Sequence, residues 1–258
     1  MKKYICDLTV ADATRLHQRC ILLKLTCDKV LPPMKSGQFA EVRIDGTPGV
    51  LLRRPISIHR IDKARNELWL LVQAVGSGTQ HLAQLRKGDL LNAMLPLGNG
   101  FTLPDRPCRP LLVGGGVGVA PLLQLGVELE ELGIRPSFLL GARTANDVLQ
   151  LKEFGQVGDV DVTTEDGSMG EQGFVTQHSL LKRKEVFDRI YCCGPKPMMM
   201  AMARYAHEHG VWCEVSLENR MACGLGACLC CVEKTKEGNR CVCTDGPVFN
   251  INDLTWLI

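Results

Sequence analysis

Cys223, Cys228 and Cys231 stand in the spacing C-x4-C-x2-C, and a fourth thiol follows at Cys243, with Cys241 two residues nearer as its rival. Thiolates clustered in this way hold metal, and the first three match the plant-type spacing for a [2Fe–2S] cluster. Structural zinc is the competing reading, because four thiolates also complete a tetrahedral zinc site. Zinc sites, however, favour paired knuckles two to four residues apart. Here Gly224, Leu225, Gly226 and Ala227 separate the first two cysteines, and small residues let backbone amides point at bridging sulfides. Cys230 is then a spare thiol, turned away from Cys231.

Other short stretches carry chemistry of a different kind. In LLVGGGVGVAP an apolar run ends at Val113, and Gly114, Gly115, Gly116 and Gly118 lead into a helix with Pro121 near its first turn. Glycines let the chain turn tightly against a ligand, and free amides at a helix start attract a pyrophosphate. Pro121 stands where a third glycine of the dinucleotide fingerprint belongs, and Arg143, not an acidic residue, follows the next strand. A second strand, turn and helix appears in YCCGPKPMM, with Cys193, Gly194 and Pro195 at the turn. In a parallel sheet both turns fall at the same carboxyl edge, where two ends of one dinucleotide can be held. The plain alternative is that Cys192 and Cys193 are buried strand residues and Gly194-Pro195 only ends the strand. RRPISI, from Arg53 to Ile58, places two cations beside a serine, and GSGT, from Gly76 to Thr79, opens a short helix. An arginine fork and a row of amides both suit a diphosphate. Both features are also compatible with ordinary structure, as edge charges and a turn.

These stretches need elements to position them. The chain has 258 residues, 45% hydrophobic and 22% charged, the proportions of a globular protein with two domains and a small appendage. A net charge of +2, with thirty cations and twenty-eight anions interspersed, argues against nucleic acid or an anionic membrane as partner. Asp7 interrupts the amino terminus before any signal-like apolar run, no stretch approaches a membrane span, and a cytoplasmic protein is expected. Thirteen cysteines in a reducing compartment read as thiols or metal ligands, not disulfides. Over 1–103, short alternating runs such as RCILLKLTC and ELWLLVQAV predict an antiparallel barrel or sandwich, with a short helix over Thr79 to Leu85. Over 104–214, apolar strands alternate with helical stretches and predict a parallel sheet covered by helices, FVTQHSLL among them. The methionines from Met198 to Met200 read as helix core. The remaining 215–258 form a small cysteine-rich tail.

In this order RRPISI, GGGVGVAP, CGPKPM and the terminal cysteines resemble the ferredoxin reductase family with a carboxyl-terminal cluster. More closely, RRPISI, ACGLGAC with a cysteine three residues on, and VCTDGPVF resemble the electron-transfer subunits of type B dihydroorotate dehydrogenases, over nearly the whole chain. The resemblance implies an antiparallel flavin barrel with FAD over 1–103, an α/β parallel-sheet domain with NAD over 104–214, and a small [2Fe–2S] domain over 215–258. It implies that Arg54, Pro55, Ile56, Ser57, Leu71, Val72 and Gln73 line the flavin, and that Gly78 and Thr79 meet its diphosphate. Cys223, Cys228, Cys231 and Cys243 become the iron ligands, Cys243 being preferred because it precedes TDGPVF. Gly115, Gly116, Gly118, Cys193, Gly194 and Pro195 serve NAD. Where many ferredoxin reductases carry a tyrosine between the arginine and serine of the flavin motif, this chain has Ile56, so no ring stacks from that position.

The implied partner is an FMN-containing dihydroorotate-oxidising subunit, two of each chain forming a heterotetramer in pyrimidine biosynthesis. A cluster moves one electron at a time and NAD accepts a hydride; a flavin does both, which puts FAD between them. Ser57 is in place to bond the flavin N5, and the CGP turn to bring the nicotinamide over the ring. No general base for dihydroorotate is evident, as suits a relay. Two other readings stay open: the FAD and cluster subunit of an NADPH–ferredoxin or sulfide oxidoreductase, for which Arg143 can hold a ribose phosphate, and a non-catalytic metal-binding sensor.

Overall fold

The computed structural model describes residues 2–182 and 187–257; Met1 and Ile258, the outer limits of the first and last divisions of the sequence, lie outside them. Six strands close an antiparallel barrel in the order β1-β2-β5-β4-β3-β6. They are β1 (Tyr4–His17), β2 (Cys20–Thr26), β3 (Phe39–Val42), β4 (Arg54–Asp62), β5 (Glu67–Gln73) and β6 (Leu90–Leu97). The twofold alternation of a strand decides which side chains fill the barrel. On β5, Leu68, Leu70 and Val72 enter the barrel core, whereas Leu71 faces outward and packs with Val119 and Ala120 of the next layer. Helix α1 spans Ser77–Leu82, beginning two residues before the expected start and ending three before the expected end, because Thr79 Oγ1 accepts the amides of Val75 and Gly76 and so caps the first turn.

The second layer is a seven-stranded sheet in the order β10-β9-β8-β7-β11-β12-β15. Its parallel strands are β7 (Pro110–Gly115), β8 (Ser137–Ala142), β9 (Asp159–Thr164), β10 (Glu171–Gln172), β11 (Arg189–Cys193) and β12 (Trp212–Ser216). Helices α2 (Ala120–Glu131), α3 (Leu151–Val157) and α4 (Lys196–Glu208) cover it. Both faces are buried, so strands read as continuous apolar runs: Ile190 and Cys192 point into one core cluster, Tyr191 and Cys193 into the other. Helix α4 buries Met199, Met202, Ala203 and Ala206, the i, i+3, i+4, i+7 stripe of a helix seated on a sheet. The segment FVTQHSLL departs from expectation. It forms two short 3-10 turns, Val175–Gln177 and Ser179–Lys182, not an α-helix. Side chains take amides of the segment itself: Gln177 Oε1 accepts from Phe174, the Glu171 carboxylate from Ser179 and His178 Nδ1 from Leu180, which competes with a regular helix.

The cysteine-rich tail is not detached from these layers. A hairpin of β13 (Val232–Thr235) and β14 (Gly238–Cys241) is followed by β15 (Val248–Asn250), which adds to the edge of the large sheet antiparallel to β12. Polar seams join barrel to sheet. Ser36 donates its hydroxyl to Glu128 at 2.6 Å, Gln124 accepts the amide of Ile61 at 2.8 Å, and fully buried His59 bonds the Ala120 carbonyl at 2.7 Å.

Candidate functional site

A cavity of about 310 Å³ lies between barrel and sheet. Pro55, Ile56 and Ser57 of β4 line it, with Leu71 and Gln73 of β5 and Thr79 of α1. Alternation again decides which residues participate: Val72, between Leu71 and Gln73, sends its side chain into the barrel core and, unlike its two neighbours, is not among the residues lining the cavity. Arg53, just before β4, and Arg54, its first residue, also part company. The Arg53 guanidinium bonds the Glu41 carbonyl at 3.1 Å and Asn92 Oδ1 at 2.7 Å, fastening β3 to β6 as structure. Arg54 instead lies across Gly78, where a β-carbon would stand 2.8 Å from its Nε. The arginine and the α1 start singled out for a diphosphate therefore touch.

The two turns of the sheet domain also meet. Strands β7 and β11 are parallel neighbours, with Gly114 beside Cys193. A β-carbon on Gly118 would come within 2.6 Å of the Gly194 amide nitrogen, so the first turn accepts only glycine there. Gly115 packs as closely on Pro195 and Met198, while Gly116 takes a φ of +56°. Pro121 occupies the first turn of α2. The Cys193 thiol is 1% exposed and burial pushes its pKa up. Arg143 stands exposed just beyond the end of β8.

The third group is the thiols. Backbone amides aim at their sulfurs: Leu225 at Cys223 (3.3 Å), Gly226 at Cys243 (3.2 Å) and Cys243 at Cys231 (3.4 Å). The Leu225 amide, with lesser help from Cys228 and Ala227, brings the Cys223 thiol down to about 6. Burial, then Cys231, pushes Cys243 up to about 12. Cys223 lies beside Cys228, and Cys231 lies beside both Cys241 and Cys243. Among the described residues no three His, Cys, Asp or Glu side chains converge on one ion. Thiols spread over more than one point, with backbone amides directed at three of their sulfurs, fit a two-iron cluster, whose irons each take two cysteines; a single zinc needs all four at one point. Cys230 is exposed, and Cys241 is half-buried with its thiol pKa raised by burial and by Cys231.

What reading by motif missed is the segment linking these groups. Ser216, Leu217, Glu218, Asn219, Arg220 and Met221 form the cavity wall opposite β4. Asn219 Nδ2 also donates to the carbonyl of Cys231 at 3.4 Å and to Glu233 at 3.0 Å, so one residue borders both the cavity and the thiol loop. The available signal was β12 itself: Ser216 sits beside Cys193 in register, at the same carboxyl edge as both glycine turns. On the barrel side, the cysteine loop presses Gly224 against the buried Glu41 and against Leu97, and Asn99 Nδ2 bonds the carbonyls of Thr244 (3.1 Å) and Asp245 (3.0 Å).

Comparison with known proteins agrees with this arrangement. Residues 218–255 match the family model described as the iron-sulfur cluster binding domain of dihydroorotate dehydrogenase B, and residues 112–204 match that of the oxidoreductase NAD-binding domain. The chain is 40% identical to the "Dihydroorotate dehydrogenase B (NAD(+)), electron transfer subunit" of Shouchella clausii, covering 98% of this chain and 99% of that protein. It is 38% identical to the protein of the same description from Fusobacterium nucleatum, over 96% and 97%. Among solved structures, a chain from work on the NADH-dependent reduced ferredoxin-NADP oxidoreductase superposes with a TM-score of 0.87 at 28% identity, covering 96% of this chain and 90% of that one.

Proposed function

Because the chain belongs to the family of dihydroorotate dehydrogenase B electron transfer subunits, we propose that it passes electrons taken from dihydroorotate by a separate catalytic subunit through [2Fe–2S] and FAD to NAD+, in pyrimidine biosynthesis. The observation that carries the reading is the continuity of one segment: Ser216 to Met221 walls the cavity beside Ser57, and ten residues later the same chain supplies Cys231. In the full assignment, 1–103 hold FAD, 104–214 hold NAD and 215–258 hold the cluster.

Arg54, Pro55, Ile56, Ser57, Leu71 and Gln73 hold the flavin, with Gly78 and Thr79 at its diphosphate. Gly115, Gly116, Gly118, Cys193, Gly194 and Pro195 hold the dinucleotide. Cys223, Cys228, Cys231 and Cys243 hold the cluster. When bound, the flavin supplies the conversion between single electrons and a hydride. The chain's own residues bind and orient. Gly118 and Gly194 let the two turns close on each other, Arg54 neutralises phosphate charge, and the apolar faces of Ile56 and Leu71 keep water from the cavity. The partner is an FMN-containing catalytic subunit, two of each chain assemble, and the complex is cytoplasmic; among the described residues no helix is long and apolar enough to cross a membrane.

The test is composition and partial activity. Protein made anaerobically should yield one FAD and two irons with two sulfides per chain, and should oxidise NADH with an artificial acceptor. Stoichiometric zinc without sulfide, or a protein free of flavin, would reject the reading. A preference for NADPH would favour the ferredoxin–NADP branch, which the exposed Arg143 and the 28% identical structural relative keep in view.

A further inference from the structure

Strand β4 carries one residue more than its pairing with β5 needs. Ile58 pairs with Leu70 and Arg60 with Trp69, so His59 is the extra residue of a β-bulge. Bulges re-aim side chains next to functional sites. The barrel core takes Ile56 and Ile58 and is next approached by Ile61, three residues on instead of two, and His59 is turned out of the barrel toward the sheet domain. There it is fully buried. Nδ1 donates to the Ala120 carbonyl at 2.7 Å, and Nε2 meets the side-chain amide of Gln150.

Both partners belong to the sheet domain. Ala120 opens α2 two residues after Gly118, and it lines the cavity together with Val117. Gln150 precedes α3 with a φ of +52°, a left-handed backbone that a residue other than glycine holds only where its surroundings fix it. His59 in turn follows Ser57 of the facing wall by two residues. Burial disfavours the charged ring, and a carbonyl only accepts, so the one proton of the neutral ring sits on Nδ1. Farther along the helix, Gln124 takes the amide of Ile61 at 2.8 Å and Glu128 that of Ser36 at 2.9 Å. Ala120, Gln124 and Glu128 stand four apart, on one face of α2. Of the three, only Ala120 also lines the cavity. Apolar contacts such as Leu71 on Val119 and Ala120 tolerate sliding, whereas a directional bond in a dry interior fixes one distance. That distance matters, because reacting atoms must come within about 3–3.5 Å and a misplacement of about 1 Å costs about 100-fold.

We propose that His59 is a positioning residue for hydride exchange with NAD: its Nδ1–H holds the Ala120 carbonyl, and through it the glycine turn, at one distance from the strand that carries Ser57. The hydride, two electrons with one proton, passes between the nicotinamide and the bound flavin, and His59 itself gives and takes nothing. This inference rests on the function proposed above, and the test separates the two.

Holoprotein of the wild type, His59→Ala, His59→Asn and His59→Gln is first assayed for FAD, then mixed anaerobically with NADH or with dithionite and followed by stopped-flow flavin absorbance. Asparagine places an amide N–H where Nδ1 stands, and glutamine places one where Nε2 stands. His59→Ala and His59→Gln should lower the limiting rate of reduction at saturating NADH by about tenfold or more. The Kd for NADH should stay within about twofold, and reduction by dithionite should not change. His59→Asn should bring the limiting rate back to within about threefold of the wild type. Amide hydrogen exchange from Gly118 to Gln124 should follow the same order, with or without flavin: faster in the alanine and glutamine variants, slow in the wild type and in His59→Asn. A wild type free of flavin would overturn the proposed function, and the exchange measurement would then decide the role of His59. Should the alanine variant fail to fold, the asparagine and glutamine variants decide between them. Equal slowing with NADH and dithionite, a glutamine variant as fast as the asparagine variant, or unchanged exchange in His59→Ala would overturn the proposal.

Discussion

Glu41 offers a quantitative test of how the barrel meets the cysteine loop. It is fully buried on β3, opposite Pro55 of the flavin strand, and both carboxylate oxygens lack a hydrogen-bond partner among the described residues. Burial, reinforced by the Cys223 sulfur and opposed by Arg53 and Arg54, raises its pKa from 4.5 to about 7. A folded-state pKa above the unfolded value means that the folded protein binds the extra proton. The associated stability is complete below pH 4.5 and is lost as pH rises through 7. At 1.36 kcal/mol per pKa unit the full effect is about 3.4 kcal/mol, of which about 2.5 kcal/mol falls between pH 5 and pH 8. Glu41→Gln keeps the shape and removes the titration. The difference in Tm, variant minus wild type, should therefore grow by about 5–10 °C from pH 5 to pH 8 in holoprotein melts at one scan rate. Every other titrating group is common to both proteins and cancels. A difference that stays flat with pH would refute the reasoning, and one that shrinks would mean that the carboxylate is paired as an ion.

The thiol assignment predicts that Cys243→Ser loses the visible cluster absorbance while Cys230→Ser and Cys241→Ser retain it; a colourless Cys241→Ser protein would reverse the choice of fourth ligand. His59→Ala removes a fully buried ring bonded to the Ala120 carbonyl and to Gln150, and should cost about 3 kcal/mol in cavity and lost bonds, read as a lower denaturation midpoint. Because burial lowers the His59 pKa, its contribution should be kept above pH 6.5 and lost as pH falls below it, and the alanine variant should show a weaker acid dependence of Tm. Gly118→Ala drives a methyl into Gly194, an overpacking worth about 1–3 kcal/mol, and should weaken NADH binding in a fluorescence titration while leaving the iron content unchanged.

Periodicity made the two layers legible. Strands such as Leu111–Val113, buried on both faces, announce a parallel sheet, and the alternation of Leu70, Leu71 and Val72 announces a barrel wall. Spacing made the thiols legible, because ligands that hold one cluster lie close together in the chain. The opposite wall of the cavity was not legible. Glu218, Asn219 and Arg220 form no recognisable motif, and they reach the cavity only because β12 ends beside Cys193. Nor do local patterns separate Arg53 from Arg54: these neighbours, just before and at the start of β4, differ in role because Asn92, far away in sequence, is there to accept Arg53. The return of β15 to the large sheet depends in turn on an edge that the tail could not reveal by itself.

The relay itself is tested most directly by stopped-flow absorbance of the chain reconstituted with an FMN-containing dihydroorotate-oxidising subunit, mixed anaerobically with dihydroorotate and NAD+. The account predicts NADH formation only when both chains are present, and its loss in the Cys243→Ser complex although the partner's FMN is still reduced. NADH formed rapidly by this chain alone, or by the complex lacking its cluster, would contradict it.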